Sequence, residues 1–406
     1  MRVDVAVVGG GPAGLAAATA IRHREPKAHV VIIERDEELG GIARYSNHIG
    51  YGLRDLHRVM SGPAYARHYS ARAERAGVDV WTNATVTGWA GSSLLVTRPH
   101  GAEVLDARAI VLATGCRERP RSARLVPGTR PAGVYTTGSL QRLVARGATI
   151  GTKAVVVGAE HVSMSAVMTL AHAGVRTVAV VTAFDRPNTY WLYRLASVIR
   201  HRVPIETGES IAEINGRRRV ESVRLNSGRS IACDMVVFTG DWIPEHELAR
   251  RAPVDIDPGS KGPAVDAALR TSSPAVFAVG NLVHGAEAAD ICAIDGRHVA
   301  SAVSAWLGGA PWPAGRVPVR AEAPLAWVSP NVLAGGMLPA RRRMLLRSAA
   351  FVSESSVSVT QASRLLWTGR ARGRVAPSMA LSIPATWVGD VDPRGGPVSV
   401  LLSDLR

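Results

Sequence analysis

Gly9, Gly11 and Gly14 stand in the order G-x-G-x-x-G, and Glu34 follows Gly14 by twenty residues. That spacing suits the holding of a dinucleotide. The first glycine makes a tight turn, the second lets backbone approach a pyrophosphate, and the third packs helix closely on strand. A carboxylate at the end of the next strand fits a ribose diol and repels a 2′-phosphate, which is the chemistry expected of Glu34. A second stretch, GAEHVSMSA at 158–166, occupies the same place in its own surroundings. Gly158 keeps the first position there, but Glu160 replaces the second glycine and Ser163 the third. A carboxylate facing a pyrophosphate has the wrong charge, and any side chain at that position blocks the backbone's approach.

The three cysteines, Cys116, Cys233 and Cys292, lie far apart and form no C-x-x-C pair. A local redox disulfide, a zinc knuckle and an iron–sulfur cluster all lack ligands in such a chain, and no metal site is expected.

The elements that must position these groups are legible around them. DVAVVGGGPAGLAAATAI (4–21) reads as a buried strand, a glycine turn and an Ala-rich helix, whose N-terminus offers free N–H groups and a positive dipole end to phosphates. The strand HVVIIER then delivers Glu34 and Arg35. AIVLATGCRERP (109–120) is an apolar strand ending in Ala113-Thr114-Gly115. TSSPAVFAVGNLVHGAEAADICAIDGRHVASAV (271–303) gives a loop, a strand ending at Gly280-Asn281, and a helix beginning near Asp290. Residues 151–182 repeat the strand–turn–helix–strand outline, with Val162, Ala166, Leu170 and Ala173 at helical spacing. Thr182 stands where an NADH enzyme often has an acid, and Arg186 is placed to meet a 2′-phosphate. A nucleotide-binding fold is expected in this second unit, and NAD(P) binding stays open between a working site and a relic.

With 406 residues the chain is too long for one ordinary core, so two or three domains are expected. Hydrophobic content of 47% with charged content of 20% describes a soluble globular protein. No apolar run approaches the length of a membrane span, and Asp4 with the triple glycine argues against a signal peptide, so a cytoplasmic protein is expected. The net charge of +15 raises nucleic-acid binding, but only three of the 48 basic residues are lysines and the chain is rich in Ala, Gly and Val. Composition bias explains this more simply, and no nucleic-acid partner is expected. Residues 316–406 carry twelve arginines against five acids, including Arg341-Arg342-Arg343, which is read as a solvated face, with a site for an anionic partner as the alternative.

The order GGGPAG, ER…GG, ATG, second Rossmann unit, then TSSPAVFAVGN resembles the two-dinucleotide flavoproteins of the thioredoxin-reductase type, within the pyridine nucleotide-disulfide oxidoreductases. The resemblance covers roughly residues 1–312, strengthened by ELGGIARYSNHIGYG and SGPAYARHYSARAERAG. Lacking the redox cysteine pair, the chain looks closer to flavoprotein subunits of opine, proline and sarcosine-type amine dehydrogenases and to flavoproteins associated with glycerol-3-phosphate dehydrogenase. The resemblance implies FAD. Gly9, Gly11, Pro12, Ala13 and Gly14 would hold its pyrophosphate and Glu34, with Arg35 beside it, the adenosine ribose. Gly41 and Asn47 would lie near the ring, Thr114 and Gly115 against the cofactor, and the backbone of Val86 near adenine. Asn281, after Gly280, takes a position usually held by Asp bonding the ribityl chain. The helix from Ala289 would aim its N-terminus at the N1–C2 edge of the ring.

The flavin would exchange hydride, leaving the protein to place the donor and manage a proton. His48, in NHIGYG, is the candidate base, with Tyr51 orienting the same group. His284 and Glu287 form a second candidate acid–base pair. The alternative is that these histidines cap loops. Cys116 is read as packing. Tyr190, Trp191 and Tyr193 sit together beside several arginines, as an aromatic lid, a partner surface or simple packing.

The architecture expected is α/β, with two Rossmann-like FAD/NAD(P)-binding domains, the second inserted in the first, plus a small C-terminal β module. The boundaries expected are 1–118 and 260–312, 119–259, and 316–406. LLWTGR, SMALSIP and PVSVLLS read as strands of the last module, with Trp327, Trp367 and Trp387 suggesting dimerisation or partner docking. Functionally, the chain reads as an FAD-dependent oxidoreductase, or the flavin subunit of one, taking hydride from a small amine or hydroxy compound. The alternatives are an NAD(P)H-dependent reductase of another acceptor and a non-catalytic flavin-holding subunit. A small-molecule substrate is expected, with a partner dehydrogenase subunit or a homo-oligomer.

Overall fold

RVDVAVV, the strand Arg2–Val8, is buried along its last four residues because other layers cover both faces of its sheet, which is why it reads as a continuous apolar run. The computed structural model describes residues 1–335, 337–353, 355–371 and 375–404. The chain divides into two compact units, one of Met1–Arg44, Gly50–Cys116 and Pro244–Arg406, the other of Tyr45–Ile49 and Arg117–Ile243.

In the first unit Arg2–Val8 pairs in parallel with Val30–Ile33 on one side and Gly101–Leu112 on the other, in the register Val7↔Ile32 and Val7↔Val111. Asp79–Trp81 extends one edge, and Val276–Ala278 pairs in parallel with Gly101–Leu112. The antiparallel strands Thr85–Ala90 and Ser93–Arg98 continue from the outer half of Gly101–Leu112. The helices Pro12–Arg24 and Ala289–Leu307 cross at very short range. A Cβ on Gly296 would lie 2.1 Å from the carbonyl oxygen of Ala13, so only glycine allows this approach.

The second unit has a five-stranded parallel sheet in the order Val134–Thr136, Met235–Phe238, Lys153–Val157, Arg176–Thr182, Ile205–Thr207. Helix His161–His172 buries Met164, Ala166, Val167 and Leu170 against it. A small antiparallel sheet of Ile211–Asn215, Ser222–Leu225 and Ser230–Ala232 packs its apolar residues with the other face.

Residues past the linker form two sheets with a separate apolar core of Val357, Val359, Met344 and Trp387. One sheet runs Val332–Leu333, Val317–Ala321, Val398–Asp404, Ser355–Gln361, Arg364–Arg370, and the other Leu325–Ser329, Arg343–Ser348, Ala380–Pro384. Trp387, 1% exposed, lies in this core and Trp367 is half-buried against it, whereas Trp327, 7% exposed, is covered by the His284 ring and the Arg347 guanidinium. The two buried tryptophans are therefore not themselves a surface, contrary to the part expected of them. The arginines at 341–343 are exposed, as a solvated run should be.

Candidate active site

At the first glycine turn, Gly9 has φ +107°, and a Cβ there would lie 2.5 Å from the Ala113 carbonyl oxygen. A Cβ on Gly14 would lie 1.9 Å from the Gly9 oxygen. Helix Pro12–Arg24 starts with Pro12 in its first turn and Gly11 as N-cap, with no side chain bonded to its end and no acid in its first turn. Its leading N–H groups and dipole are therefore left for an anion. The nearest atom to a Cβ on Gly11 is Gly41 Cα at 3.9 Å, and Gly280 sits behind, 2.7 Å from the Ala13 Cβ by the same construction. Gly9, Gly11, Pro12, Ala13, Gly14, Gly41 and Gly280 thus converge on one backbone cradle, and the pyrophosphate of a dinucleotide fits it.

Glu34 ends its strand buried, with Oε2 accepting from the Gly10 N–H at 2.7 Å and Oε1 from the Asp36 N–H at 2.9 Å. This fixes the carboxylate at the edge of the turn. Arg35 points to water and lies 3.8 Å from Glu245. Thr114 Oγ1 donates to the Glu245 carbonyl at 2.8 Å, tying the Ala113-Thr114-Gly115 bend to the chain after residue 243. Val86, half-buried, pairs with Val96 across its hairpin. Asn281 spends its amide locally: Oδ1 accepts from the Glu287 N–H at 2.8 Å and Nδ2 donates to the Glu287 oxygen at 3.1 Å. The oxygen keeps a second lone pair for another donor.

The candidate acid–base pair of His284 and Glu287 is not formed. His284 is 2% exposed, and its Nε2 bonds Asp295 Oδ2 at 2.5 Å while its ring stacks 6.2 Å from that of Trp327. Burial opposes its protonation, but the charge and hydrogen bond of Asp295 prevail and raise its pKa. Glu287 instead forms an ion pair with Arg347 from the C-terminal module. Cys116, Cys233 and Cys292 carry thiols that form no disulfide among the described residues, and burial pushes Cys292 well up.

A buried cluster that sequence reasoning missed lies beneath Tyr51. The ring of Tyr51 is 5.7 Å from Tyr65, which is 5.0 Å from Tyr69. Both Tyr65 and Tyr69 donate to Asp55 Oδ2, at 2.7 and 2.6 Å, and Tyr65 also reaches the Ala289 carbonyl at 3.3 Å. Burial raises both phenols, Tyr69 to about 12. Arg54 N–H donates to Asp290 at 3.0 Å, so the loop after Tyr51 is tied to the start of helix Ala289–Leu307. The i, i+4 spacing of Tyr65 and Tyr69 was the available signal, but Asp55 gave none.

Asn47 and His48 belong to the second unit. His48 Nδ1 donates to the Ile49 carbonyl at 2.9 Å, so in the neutral ring Nε2 accepts from Ser165 Oγ at 2.7 Å. Gln141 Nε2 donates to the same Ser165 oxygen at 2.9 Å. Burial lowers the His48 pKa, which keeps the imidazole neutral, with its lone pair on Nε2.

At the second turn Gly158 has φ +123°, and Glu160 is the N-cap of helix His161–His172. The Glu160 carboxylate lies beside Gly158 and Gly240 and accepts from the third N–H of the helix in a capping box, while Ser163 Oγ accepts from the Glu160 N–H at 3.2 Å and lies 2.6 Å from Thr239 Oγ1. Burial raises the Glu160 pKa, opposed by hydrogen bonds from Thr239 and Ser163 and by the charge of Arg124. The group is thus buried and used to cap the helix that follows. Thr182 is buried at its strand end, and Arg186 lies 3.6 Å from Asp185.

Two Rossmann units, one interrupting the other, with a complete pyrophosphate cradle in the first, define an FAD-dependent oxidoreductase. The model of the pyridine nucleotide-disulphide oxidoreductases matches residues 3–305, and the chain belongs to that family. It is 28% identical over 295 residues to the ferredoxin reductase component of chlorobenzene dioxygenase from Cupriavidus sp. (strain PS12), covering 69% of this chain and 67% of that one. It is also 28% identical over 331 residues to one subunit of the opine oxidase of Agrobacterium tumefaciens (strain Ach5), covering 71% and 63%. Thioredoxin reductase of T. acidophilum shares the fold with a TM-score of 0.62 at 19% identity, covering 74% of this chain and 97% of that one. An NAD-dependent persulfide reductase from A. fulgidus shares it with the same TM-score at 18% identity, covering 98% and 77%. No described helix is long and apolar enough to cross a membrane.

Proposed function

We propose that this chain is an NAD(P)H-dependent reductase that passes electrons through FAD to a separate acceptor. The observation that supports the reading is the retained strand–turn–helix of the second unit, with Gly158 at φ +123° and Glu160 buried as the N-cap of the helix that follows. Likeness to ferredoxin reductase components of dioxygenase systems supports the same direction of flow. FAD, when bound, supplies the capacity to accept a hydride and release electrons singly or in pairs. Helix Pro12–Arg24 and Glu34 hold its pyrophosphate and ribose. Gly158 and the N–H groups that the Glu160 cap leaves at the start of helix His161–His172 would receive the pyrophosphate of the nicotinamide dinucleotide. Likeness to the ferredoxin reductase components favours a separate acceptor, a partner electron-carrier protein.

Anaerobic titration with NADH and then NADPH tests this reading by the oxidised flavin band. Bleaching is expected. A flavin that dithionite reduces and neither nucleotide bleaches would overturn it.

A second reading, oxidation of a small amine or hydroxy compound, draws support from likeness to the opine oxidase component and from the His48–Ser165–Gln141 chain. Neutral His48 would take the donor's proton as Ser165 turns its hydroxyl aside. Dye-linked turnover of such donors by the isolated chain distinguishes this reading from the first.

A further inference from the structure

The second unit carries an apolar surface that neither reading uses. Phe184, Tyr190, Trp191, Leu192, Leu195 and Ile199 are all exposed, and all fall within residues 184–199. The four on the helical stretch are 72% (Trp191), 59% (Leu192), 44% (Leu195) and 54% (Ile199) exposed. Trp191–Arg194 is α-helical and Leu195–Ile199 continues as a π-helical turn. The opposite face is anchored. Val198 is buried in the unit's core, Ser197 Oγ lies 3.0 Å from Met164 Sδ, and the Tyr193 ring packs 5.2 Å from His161. A helix fixed along one side and covered in Trp, Leu and Ile on the other spends hydration free energy that a fold alone would not require.

The flanking charge says what covers it. Residues 184–204 hold Arg186, Arg194, Arg200 and Arg202 against the single acid Asp185, which lies 3.6 Å from Arg186. Arg200, His201 and Arg202 are exposed at the end of the helical stretch, and Tyr190 and Trp191 at its start. A cleft of about 430 Å³ opens beside them, lined by Val198, Ile199 and Val203 together with Arg194 and Arg202. Aliphatic residues at the centre, Tyr and Trp at one end and guanidinium groups around them are the division of labour of a helix lying in a bilayer interface. A second copy would bring arginine against arginine.

We propose that residues 190–202 dock this protein on an anionic membrane surface, with Trp191, Leu192, Leu195 and Ile199 entering the acyl boundary and Arg200 and Arg202 meeting lipid phosphates. The proposal is independent of the direction of electron flow argued above, so either can fail alone.

The test uses the full FAD-loaded chain with vesicles of phosphatidylglycerol and phosphatidylcholine, or phosphatidylcholine alone. Co-sedimentation is expected to be roughly tenfold or more stronger with the anionic vesicles and to weaken with salt. Acyl-brominated lipid should quench tryptophan emission, and Trp191→Phe should remove most of that quenching. The paired change Leu195→Glu with Ile199→Glu should cut vesicle binding roughly tenfold or more while flavin content and thermal midpoint hold, since both side chains face water. No binding to anionic vesicles overturns the proposal, and so does binding that the glutamate pair leaves unchanged. So too does a concentration-dependent dimer, or capture of an acidic electron-carrier protein, that the glutamate pair abolishes in the absence of vesicle binding.

Discussion

Arg347 and Glu287 form an ion pair in which both side chains are almost withdrawn from water, at 8% and 11% exposure. The arginine comes from the C-terminal module and stands 5.2 Å over the Trp327 ring, and the glutamate lies in the loop that Asn281 closes. Removing one partner strands the other charge in a poor dielectric. Arg347→Ala is expected to cost about 3 kcal/mol, read from urea unfolding, while Arg347→Met with Glu287→Gln costs clearly less. Equal losses in the single and paired variants would show that the charge is solvated and the pair incidental.

Gly14 has no room for a side chain, since a Cβ would meet the Gly9 oxygen at 1.9 Å. Gly14→Val should therefore yield a folded but colourless protein, with the ratio of flavin absorbance to protein falling toward zero and far-UV dichroism kept. A yellow Gly14→Val protein would displace FAD from this turn.

Glu160 is held above its ordinary value of 4.5 chiefly by burial. In that window the folded state binds more protons than the unfolded one, so the group's contribution to stability is full below 4.5 and is lost as pH rises through the folded pKa. Urea midpoints of the wild type should fall with pH across this range more steeply than those of Glu160→Gln, with buried Glu118, raised in the same way, supplying the slope that remains. Identical slopes would place the carboxyl in water.

His284 titrates with the opposite chemistry and the same sign. Asp295 raises it above 6.5, so stability is fully present below that value and is lost as pH rises through the folded pKa. Asp295→Asn should lower stability most on the acid side of the profile, where the ion pair is complete. A uniform loss at all pH values would mean that the pair is a neutral hydrogen bond.

Under the second functional reading, His48→Ala should lower kcat about a hundredfold, the ordinary worth of a positioned base. Ser165→Ala should shift the acid limb of the pH profile with a smaller loss of rate, because it removes the hydroxyl that donates to Nε2 of His48. An unshifted limb would leave His48 as a loop-capping side chain.

The first turn was legible because local spacing fixes it: Gly9, Gly11, Gly14 and the buried strands around them are set by a few consecutive residues. The second turn was half legible. Its strand–turn–helix outline is local, but the direction of the Glu160 side chain depends on Thr239 and Gly240, which arrive on a distant strand. Asp55 escaped notice for the same reason, since its partners Tyr65 and Tyr69 reach it across a loop and a helix. Proximity pairs His284 with Glu287, whereas the fold selects Asp295, two turns into the next helix. The tryptophans of the C-terminal module show the limit of pattern reading: Trp387 is buried in the module's core and Trp327 against His284, contacts made far along the chain.

The interruption of the first Rossmann sheet by the second has a consequence for how the chain is made. Strand Val276–Ala278 and helix Ala289–Leu307 leave the ribosome long after the strands and helix they complete. Residues 1–116 thus wait with an unfinished sheet edge and a bare helix flank, while Arg117–Ile243 carries a contiguous parallel sheet that can close first. Gly296 is then the latch. Its contact with Ala13 and Ala17 seals the nascent half-domain late in synthesis, and a larger residue there would prolong the exposure of that edge to neighbouring chains.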